Sequence, residues 1–433
     1  MMLPRLSPKT MRRVQRGLPL LVAAGLLALA TTWRPAIAPI SPPDRSAFPI
    51  ADVERGAVLA KLGDCAVCHT AQGGTPLAGG RALATPFGTL YSNNITPDPA
   101  TGIGRWSLVA FTRAMHDGVR RDGAHLYPAL PYEHFTHITD ADLASLYAFL
   151  MTRRPVVAEA PANRLIFPLG FRPLLAGWKM LFLHKGEIAP DPTRSAEWNR
   201  GAYLAEGLGH CAGCHSPRNL LGGEMRGRAY AGGVAEGWRA PALDAHNPSA
   251  RRWTADALFT FLRTGISPDH SAAAGPMGPV VESLSNVPEE DVRALATYFA
   301  SRMGNGEAAT PPLQMDRADL AAREAPSGAA LFAGACAACH GTGAPMAAQG
   351  RPSLSLSSDL LDDDPTNAIQ AILQGIEPPV AGRGPKMPPF ANSLSDKQIA
   401  SILAYARLRY TDRPEWPSLE KAARSVRKGN IQP

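Results

Sequence analysis

Three times along the chain the same order of apolar and polar positions recurs, and this internal repeat frames everything else. A helix-period segment opens each unit on Gly-Ala-x-Leu, at residues 56–59, 201–204 and 328–331. A second helical segment ends at Gly118, Gly265 or Gly375, a residue suited to a helix C-terminus. In the first two units it opens on Arg105-Trp106-Ser107 and Arg252-Trp253-Thr254, where the hydroxyl is the predicted N-cap. A third helix closes each unit over 139–150, 288–299 and 395–408, with Leu143, Leu146, Tyr147 and Leu150 at helical spacing in the first. The pattern predicts small helical domains joined by many turns. The high counts of Gly (40) and Pro (41) in 433 residues agree with a loop-rich fold in several domains.

The N-terminus breaks from this repeat. Arg5, Lys9, Arg12, Arg13 and Arg16 precede an apolar run from Leu18 to Trp33 with no acidic residue among them, the composition of an export signal. Ala36-Ile37-Ala38 offers a small-residue cleavage site, but Trp33 and Arg34 separate it from the apolar run, and Trp33 suits a membrane interface. The expectation is a hydrophobic helix retained as an anchor over residues 1–40, with cleavage as the alternative. Either way the rest of the chain is delivered to the periplasmic side of the inner membrane. The net charge of +7 is spread along the sequence, which fits acidic partners or lipid headgroups. No basic block interleaved with aromatics points to nucleic acid.

All six cysteines fall into one motif, Cys65-Ala-Val-Cys68-His69, Cys211-Ala-Gly-Cys214-His215 and Cys336-Ala-Ala-Cys339-His340. Two thiols three residues apart on a helical turn can add across the two vinyl groups of a haem, and the next side chain then reaches the iron. Disulfides, a redox Cys-x-x-Cys and zinc are the competing readings. The first two do not require His after the second Cys, and zinc needs a fourth ligand in each group. Three haems c are therefore expected, with His69, His215 and His340 as proximal ligands.

Twelve residues beyond Gly265 and Gly375 stand Met277 and Met387, in Gly-Pro-Met-Gly-Pro and Lys-Met-Pro-Pro settings where proline stiffens the loop. They are expected as the sixth ligands, a pairing that raises the reduction potential. The same count from Gly118 reaches Leu130 in Tyr127-Pro-Ala-Leu-Pro-Tyr132, and leucine cannot bind iron. Met115, His116, His125, His134 and His137 are nearby. Met115 aligns with apolar core positions Leu262 and Ile372 and reads as core. His134, four residues past Leu130, is the favoured candidate, and an open sixth position is the alternative. No nucleotide, flavin or pyranopterin fingerprint and no spare cysteine for an iron-sulfur cluster is present, so substrate oxidation is expected on another subunit. The rival is a haem enzyme using an open first haem, which only Leu130 favours.

With these residues in view, the span from Ala51 to Tyr410 resembles the triple-haem cytochrome c subunits of bacterial membrane-bound dehydrogenases. The resemblance implies an all-α fold of three tandem class I cytochrome c domains. It also implies a catalytic dehydrogenase partner, with electrons passing to ubiquinone or a terminal oxidase. Residues 85–98 (Thr-Pro-Phe-Gly-Thr-Leu-Tyr-Ser-Asn-Asn-Ile-Thr-Pro-Asp), Gly102-Ile-Gly-Arg-Trp106 and Arg172-Pro-Leu-Leu-Ala-Gly-Trp178 are similar to the branch serving molybdenum hydroxylases, which implies a molybdenum subunit and an iron-sulfur subunit. The branch serving quinoprotein alcohol dehydrogenases carries Met where this chain has Leu130; that branch and the flavin-dependent sugar or polyol dehydrogenases are the alternatives. The implied haem residues are Cys65, Cys68, His69, Cys211, Cys214, His215, Cys336, Cys339, His340, Met277 and Met387.

The expected domains are 49–155, 195–303 and 324–412, with linkers at 156–194 and 304–323 and a tail at 413–433. Residues 164–183 are apolar but broken by Pro168, Arg172, Pro173 and Lys179, which rules out a clean spanning helix. Two readings of this linker stand open: a segment packed on a partner subunit, or an interfacial helix over 174–183 with Arg172 and Lys179 reaching headgroups. The tail is expected as a strap on the last domain or a partner contact.

Overall fold

A computed structural model of the chain describes residues 32–304, 315–345, 351–378, 380 and 386–429, together with Pro19 and Gly25. The hydrophobic N-terminal helix expected from the leader lies almost wholly outside the described residues. Among the described residues no helix is long and apolar enough to cross a membrane. The chain divides into two compact units. One takes Thr70–Thr136 and Leu150–Gly186 with the segment ending at Pro49, and the other takes Ile50–His69, His137–Phe149 and the chain from Glu187.

In the first unit the helix Leu108–Asp117 begins where Ser107 Oγ accepts from Ala110 N (3.2 Å) and ends at Gly118 with φ 59°. Phe111, Met115, Val119, Tyr132 and Phe135 are buried, which puts Met115 in the core as its alignment predicted. A three-stranded antiparallel sheet pairs Ala82–Thr85 with Gly88–Tyr91 and then Arg164–Leu165. The N-terminal segment is part of this unit. Ile37 N donates to Arg121 O (2.8 Å), Arg113 Nη1 to Pro35 O (2.7 Å) and Ile40 N to Arg105 O (3.1 Å).

The second unit contains three helix crossings built on one plan. The helices Ile50–Leu62, Ala196–Glu206 and Pro326–Ala335 each cross a closing helix, Asp140–Met151, Glu289–Arg302 and Asp396–Tyr410 respectively. A Cβ on Gly56 would overlap the carbonyl oxygen of Ser145 and crowd Phe149 Cβ; on Gly201, that of Ala294 and Tyr298 Cβ; on Gly328, that of Ser401 and Tyr405 Cβ. The aromatic follows the carbonyl residue by four positions each time, so the glycine of Gly-Ala-x-Leu is where two helix backbones touch. The first two crossings share an ion pair, Arg55 Nε to Asp142 Oδ1 (2.6 Å) and Arg200 Nε to Asp291 Oδ1 (2.8 Å).

The all-α expectation needs correction for the sheet described above and for a hairpin pairing Gly233–Ala235 with Trp238–Ala240. Its two-residue turn has positive φ at both Glu236 (48°) and Gly237 (80°), which matches the right-handed twist of the strands. Strands of four residues or fewer are too short for alternation to show in sequence.

The tail forms the helix Leu419–Arg427, with Leu419, Ala423 and Val426 in the same apolar cluster as Phe332, Ile369, Ile399 and Leu403, so it straps the last domain. Buried Arg407 holds the approach to this helix. It donates to Pro414 O (2.6 Å), Leu360 O (2.7 Å) and Asp362 O (2.7 Å), and its guanidinium lies 3.9 Å from the centre of the Trp416 ring. A helix at Ala318–Glu324 precedes this domain, and Asp316 Oδ1 accepts from Arg409 Nε at 2.6 Å.

Candidate haem-binding sites

Each Cys-x-x-Cys-His occupies a single helical turn, at Cys65–Cys68, Ala212–His215 and Ala337–His340. The histidine N–H donates to the carbonyl of the first cysteine in all three, at 3.0, 3.0 and 2.7 Å. None of the six cysteines is joined in a disulfide. Burial pushes the Cys65 and Cys211 thiols up to about 12, reinforced by the carboxylates of Asp64 and Glu206, and the Cys336 thiol up to about 11. A redox or nucleophilic Cys-x-x-Cys depends on a lowered pKa, the opposite of this environment. Among the described residues no group of three or more His, Cys, Asp or Glu side chains is arranged to hold a metal ion.

At the second motif, His215 Nδ1 donates to Pro241 O (2.7 Å), which fixes the tautomer and leaves Nε2 to bind a metal. Burial lowers the His215 pKa against the opposing pull of that carbonyl, so the ring is neutral, as an iron ligand must be. The hairpin supplies Pro241, and its Trp238 ring would be struck by a Cβ on Gly275. One strand thus touches both the anchor of His215 and the loop that carries Met277, two residues beyond Gly275. Met277 opens the helix Met277–Leu284.

The third motif differs in what faces the histidine. Arg351 Nη1 lies 3.4 Å from His340 Nδ1, and burial followed by that charge pushes the imidazole down to about 4. Tyr410 OH on the closing helix donates to His340 O (2.9 Å). Met387 exchanges two main-chain hydrogen bonds with Ile376, at 2.9 and 3.0 Å, directly after Gly375.

The first motif belongs to one unit and its expected distal loop to the other. On the motif side, Asp64 stands in the left-handed region (φ 51°) and accepts from Ser283 Oγ at 2.6 Å. On the loop side, Leu126 N donates to Gly118 O (2.7 Å), as Ala273 N does to Gly265 O (2.7 Å). Leu130 N then reaches Tyr127 O (3.1 Å), as Met277 N reaches Ala274 O (3.2 Å), so Leu130 keeps the backbone register of Met277. Among the candidate ligands, His134 is buried in the short helix Tyr132–Phe135. His125 is committed elsewhere, with Nε2 on Thr32 O (2.8 Å) and Nδ1 on Lys179 Nζ (3.0 Å).

Unbridged thiol pairs on helical turns, neutral imidazoles at His215 and His340 and a ring anchored through Nδ1 form a donor set that fits haem c. Residues 53–154 match the family model described as cytochrome c, and residues 323–405 match that of cytochrome c oxidase, cbb3-type, subunit III. The chain is 36% identical over 407 residues to the fructose dehydrogenase cytochrome subunit of Gluconobacter japonicus, covering 88% of this chain and 83% of that protein. The chain belongs to the cytochrome c subunits of dehydrogenases. A further member, the cytochrome c subunit of alcohol dehydrogenase (quinone) from Gluconobacter oxydans, is 36% identical over 377 residues, covering 82% and 78%. A nicotinate dehydrogenase subunit of Pseudomonas putida is 50% identical over 417 residues, covering 94% of this chain and 34% of that protein. The chain therefore spans about a third of the length of the nicotinate dehydrogenase relative.

Three features of this dehydrogenase cytochrome subunit are not legible in its sequence. Pro241 acts through its carbonyl, which no side-chain pattern reveals, although the Glu236-Gly237 turn before it is a hairpin signal. Arg351 reaches His340 through a loop contact with no periodicity. Lys179 and Arg172, which the interfacial-helix reading sent to headgroups, both turn inward instead. Lys179 is buried and donates to Asp117 O (2.7 Å) and to Gly118 O, capping the helix Leu108–Asp117, and Arg172 Nη1 donates to His125 O (2.7 Å).

Proposed function

We propose that the chain is an exported electron-transfer subunit with three covalent haems c. Attachment is at Cys65 and Cys68, Cys211 and Cys214, and Cys336 and Cys339, with His69, His215 and His340 as proximal ligands. Met277 and Met387 complete the second and third irons, and His134 is the candidate at the first. The haem domains are 49–155, 195–303 and 324–412. When bound, haem c supplies a one-electron ferric/ferrous couple. The chain's own part would be to hold the group through these residues and to tune it through the Pro241 carbonyl at His215 Nδ1 and the Arg351 charge beside His340.

The observation that carries this reading is the threefold recurrence of one arrangement: an unbridged Cys-x-x-Cys-His turn behind a helix whose glycine lies against a closing helix. The catalytic partner we favour is a molybdenum hydroxylase with an iron-sulfur subunit, acting on an N-heterocycle or aldehyde. A relative with 50% identity named as a subunit of a nicotinate dehydrogenase supports that class. Leu130 counts against the quinoprotein alcohol dehydrogenase class. The final acceptor in this reading is ubiquinone or a terminal oxidase, on the periplasmic side of the inner membrane.

The test is to purify the protein with its native membrane partners and measure haem and molybdenum together. Three haems per chain with stoichiometric molybdenum is the expected result. A quinoprotein or flavin cofactor instead would remove the molybdenum assignment, and fewer than three haems would remove the triple-haem reading. A second reading, an open first haem that reacts with a small oxidant, rests on Leu130. Tight binding of carbon monoxide to one haem in three would favour it.

A further inference from the structure

The helix Leu174–Phe182 is inside out for a surface helix in water. Its buried positions are Ala176 and Lys179, while Leu174, Met180 and Leu181 are exposed by 47%, 74% and 61%. The loop before it adds Ile166, Phe167 and Phe171, exposed by 57%, 95% and 62%. Leu174 and Leu181 fall on one helical face, and Phe171 stands three residues before the helix. Lys179 cannot turn outward to relieve this, because its three donors are used on Asp117 O, Gly118 O and His125 Nδ1. Six large apolar side chains exposed between Ile166 and Leu181 mark an interaction surface rather than scattered exposed residues.

Three observations say what covers it. The apolar leader run enters the described structure at Thr32, whose carbonyl is held by His125 Nε2 (2.8 Å), and the other nitrogen of that ring meets Lys179. One imidazole therefore joins the exit of the leader to this helix. Trp33, 65% exposed, stands at the same point, the residue type that favours the bilayer interface. Between Pro161 and Gly186 the chain has no acidic residue to repel anionic headgroups; Arg172 and Lys179 turn inward and Lys185 pairs with Asp117, which leaves exposed Arg164 as the cation available to them. A nine-residue helix is far too short to span a bilayer, so contact with lipid would place it in the membrane plane.

We propose that residues 166–183 lie in the interfacial layer of the membrane as a second, non-spanning attachment beside the leader. This rests on the reading of the chain as an exported, membrane-attached subunit. The occupant is lipid, not a partner subunit.

The test uses the full-length haem-loaded protein in inner-membrane vesicles containing a phospholipid with a photoactivatable acyl chain, with adducts mapped by mass spectrometry. Lipid adducts are expected both in the leader and at Phe167, Phe171, Met180 or Leu181. The double variant Met180→Glu/Leu181→Glu is expected to cut labelling of this segment by about tenfold while leaving haem content and leader labelling unchanged. Adducts in the leader alone overturn the proposal, as does cross-linking of this segment to another polypeptide in place of lipid. Absence of adducts anywhere in the chain, leader included, overturns instead the membrane-attached reading on which it rests.

Discussion

The helix Pro326–Ala335 carries two glycines that should respond in opposite directions to the same substitution. A Cβ on Gly328 would overlap the carbonyl oxygen of Ser401 and crowd Tyr405 Cβ, whereas a Cβ on Gly334 meets nothing within 4 Å. Replacing glycine by alanine in a helix interior returns up to about 1 kcal/mol at either position, less near the helix end. At Gly334 that gain stands alone. At Gly328 the obstacle is main chain of a second helix, which cannot rotate away as a side chain would. The helices must part, at a cost toward the upper end of the roughly 1–3 kcal/mol typical of overpacking. Gly328→Ala should therefore destabilise the third domain by about 1–2 kcal/mol net, and the two variants should differ by about 2–3 kcal/mol. For a domain of this size that gap is on the order of 10 °C in Tm. Because a multidomain chain does not unfold in two states, the transition should be resolved by calorimetry and by hydrogen exchange of the closing helix Asp396–Tyr410, with haem content held equal. Equal shifts in the two variants would refute the backbone-contact account of the Gly-Ala-x-Leu repeat.

Leu130→Met should give the first haem a methionine ligand, visible as a gain in sulfur-to-iron charge-transfer absorption and a raised potential; an unchanged spectrum would mean that the shared register of Leu130 and Met277 does not extend to the iron. Arg351→Gln removes a cation 3.4 Å from His340 Nδ1, so redox titration should find the third haem at a lower potential, ferric iron being less disfavoured. No movement of any potential would remove Arg351 as a tuning group. Asp359 is raised to about 6, first by burial and then by Asp362, with the Asn367 amide opposing. Its folded state holds more protons than the unfolded chain between its ordinary value of 3.8 and about 6, so its stabilising contribution is full below that window and is lost as pH rises through it. Denaturation of Asp359→Asn over this range should lose that slope, and a slope equal to that of the parent protein would exclude the residue. Intact-mass analysis of membrane-extracted protein should find Thr32–Ala38 still attached, because Pro35 and Ile37 are bonded into the fold; a mature N-terminus at Pro39 would contradict this.

What could be read from the sequence was what local chemistry decides. The haem motif is five consecutive residues, the caps at Ser107 and Thr254 lie three positions from the N–H groups they accept from, and Gly118 and Gly265 end their helices by adopting positive φ. Each of these needs only one turn of chain to be satisfied. Contacts between distant segments obey no such rule. Gly56, Gly201 and Gly328 were legible as a repeat, but the reason for glycine is a carbonyl 89, 93 or 73 positions away, the separations from Ser145, Ala294 and Ser401. Lys179 shows the limit most clearly. By sequence it is a cation on an apolar helix, and the general rule turns such a side chain toward water or headgroups. Here the helix Leu108–Asp117 presents its C-terminal carbonyls to that side chain, and His125 adds a ring nitrogen. Three acceptors hold the ammonium inside although burial lowers its pKa to about 7. That inward turn leaves Leu174, Met180 and Leu181 facing out, so the apolar surface follows from a helix cap whose two carbonyls, Asp117 and Gly118, lie 62 and 61 residues before Lys179 in the chain.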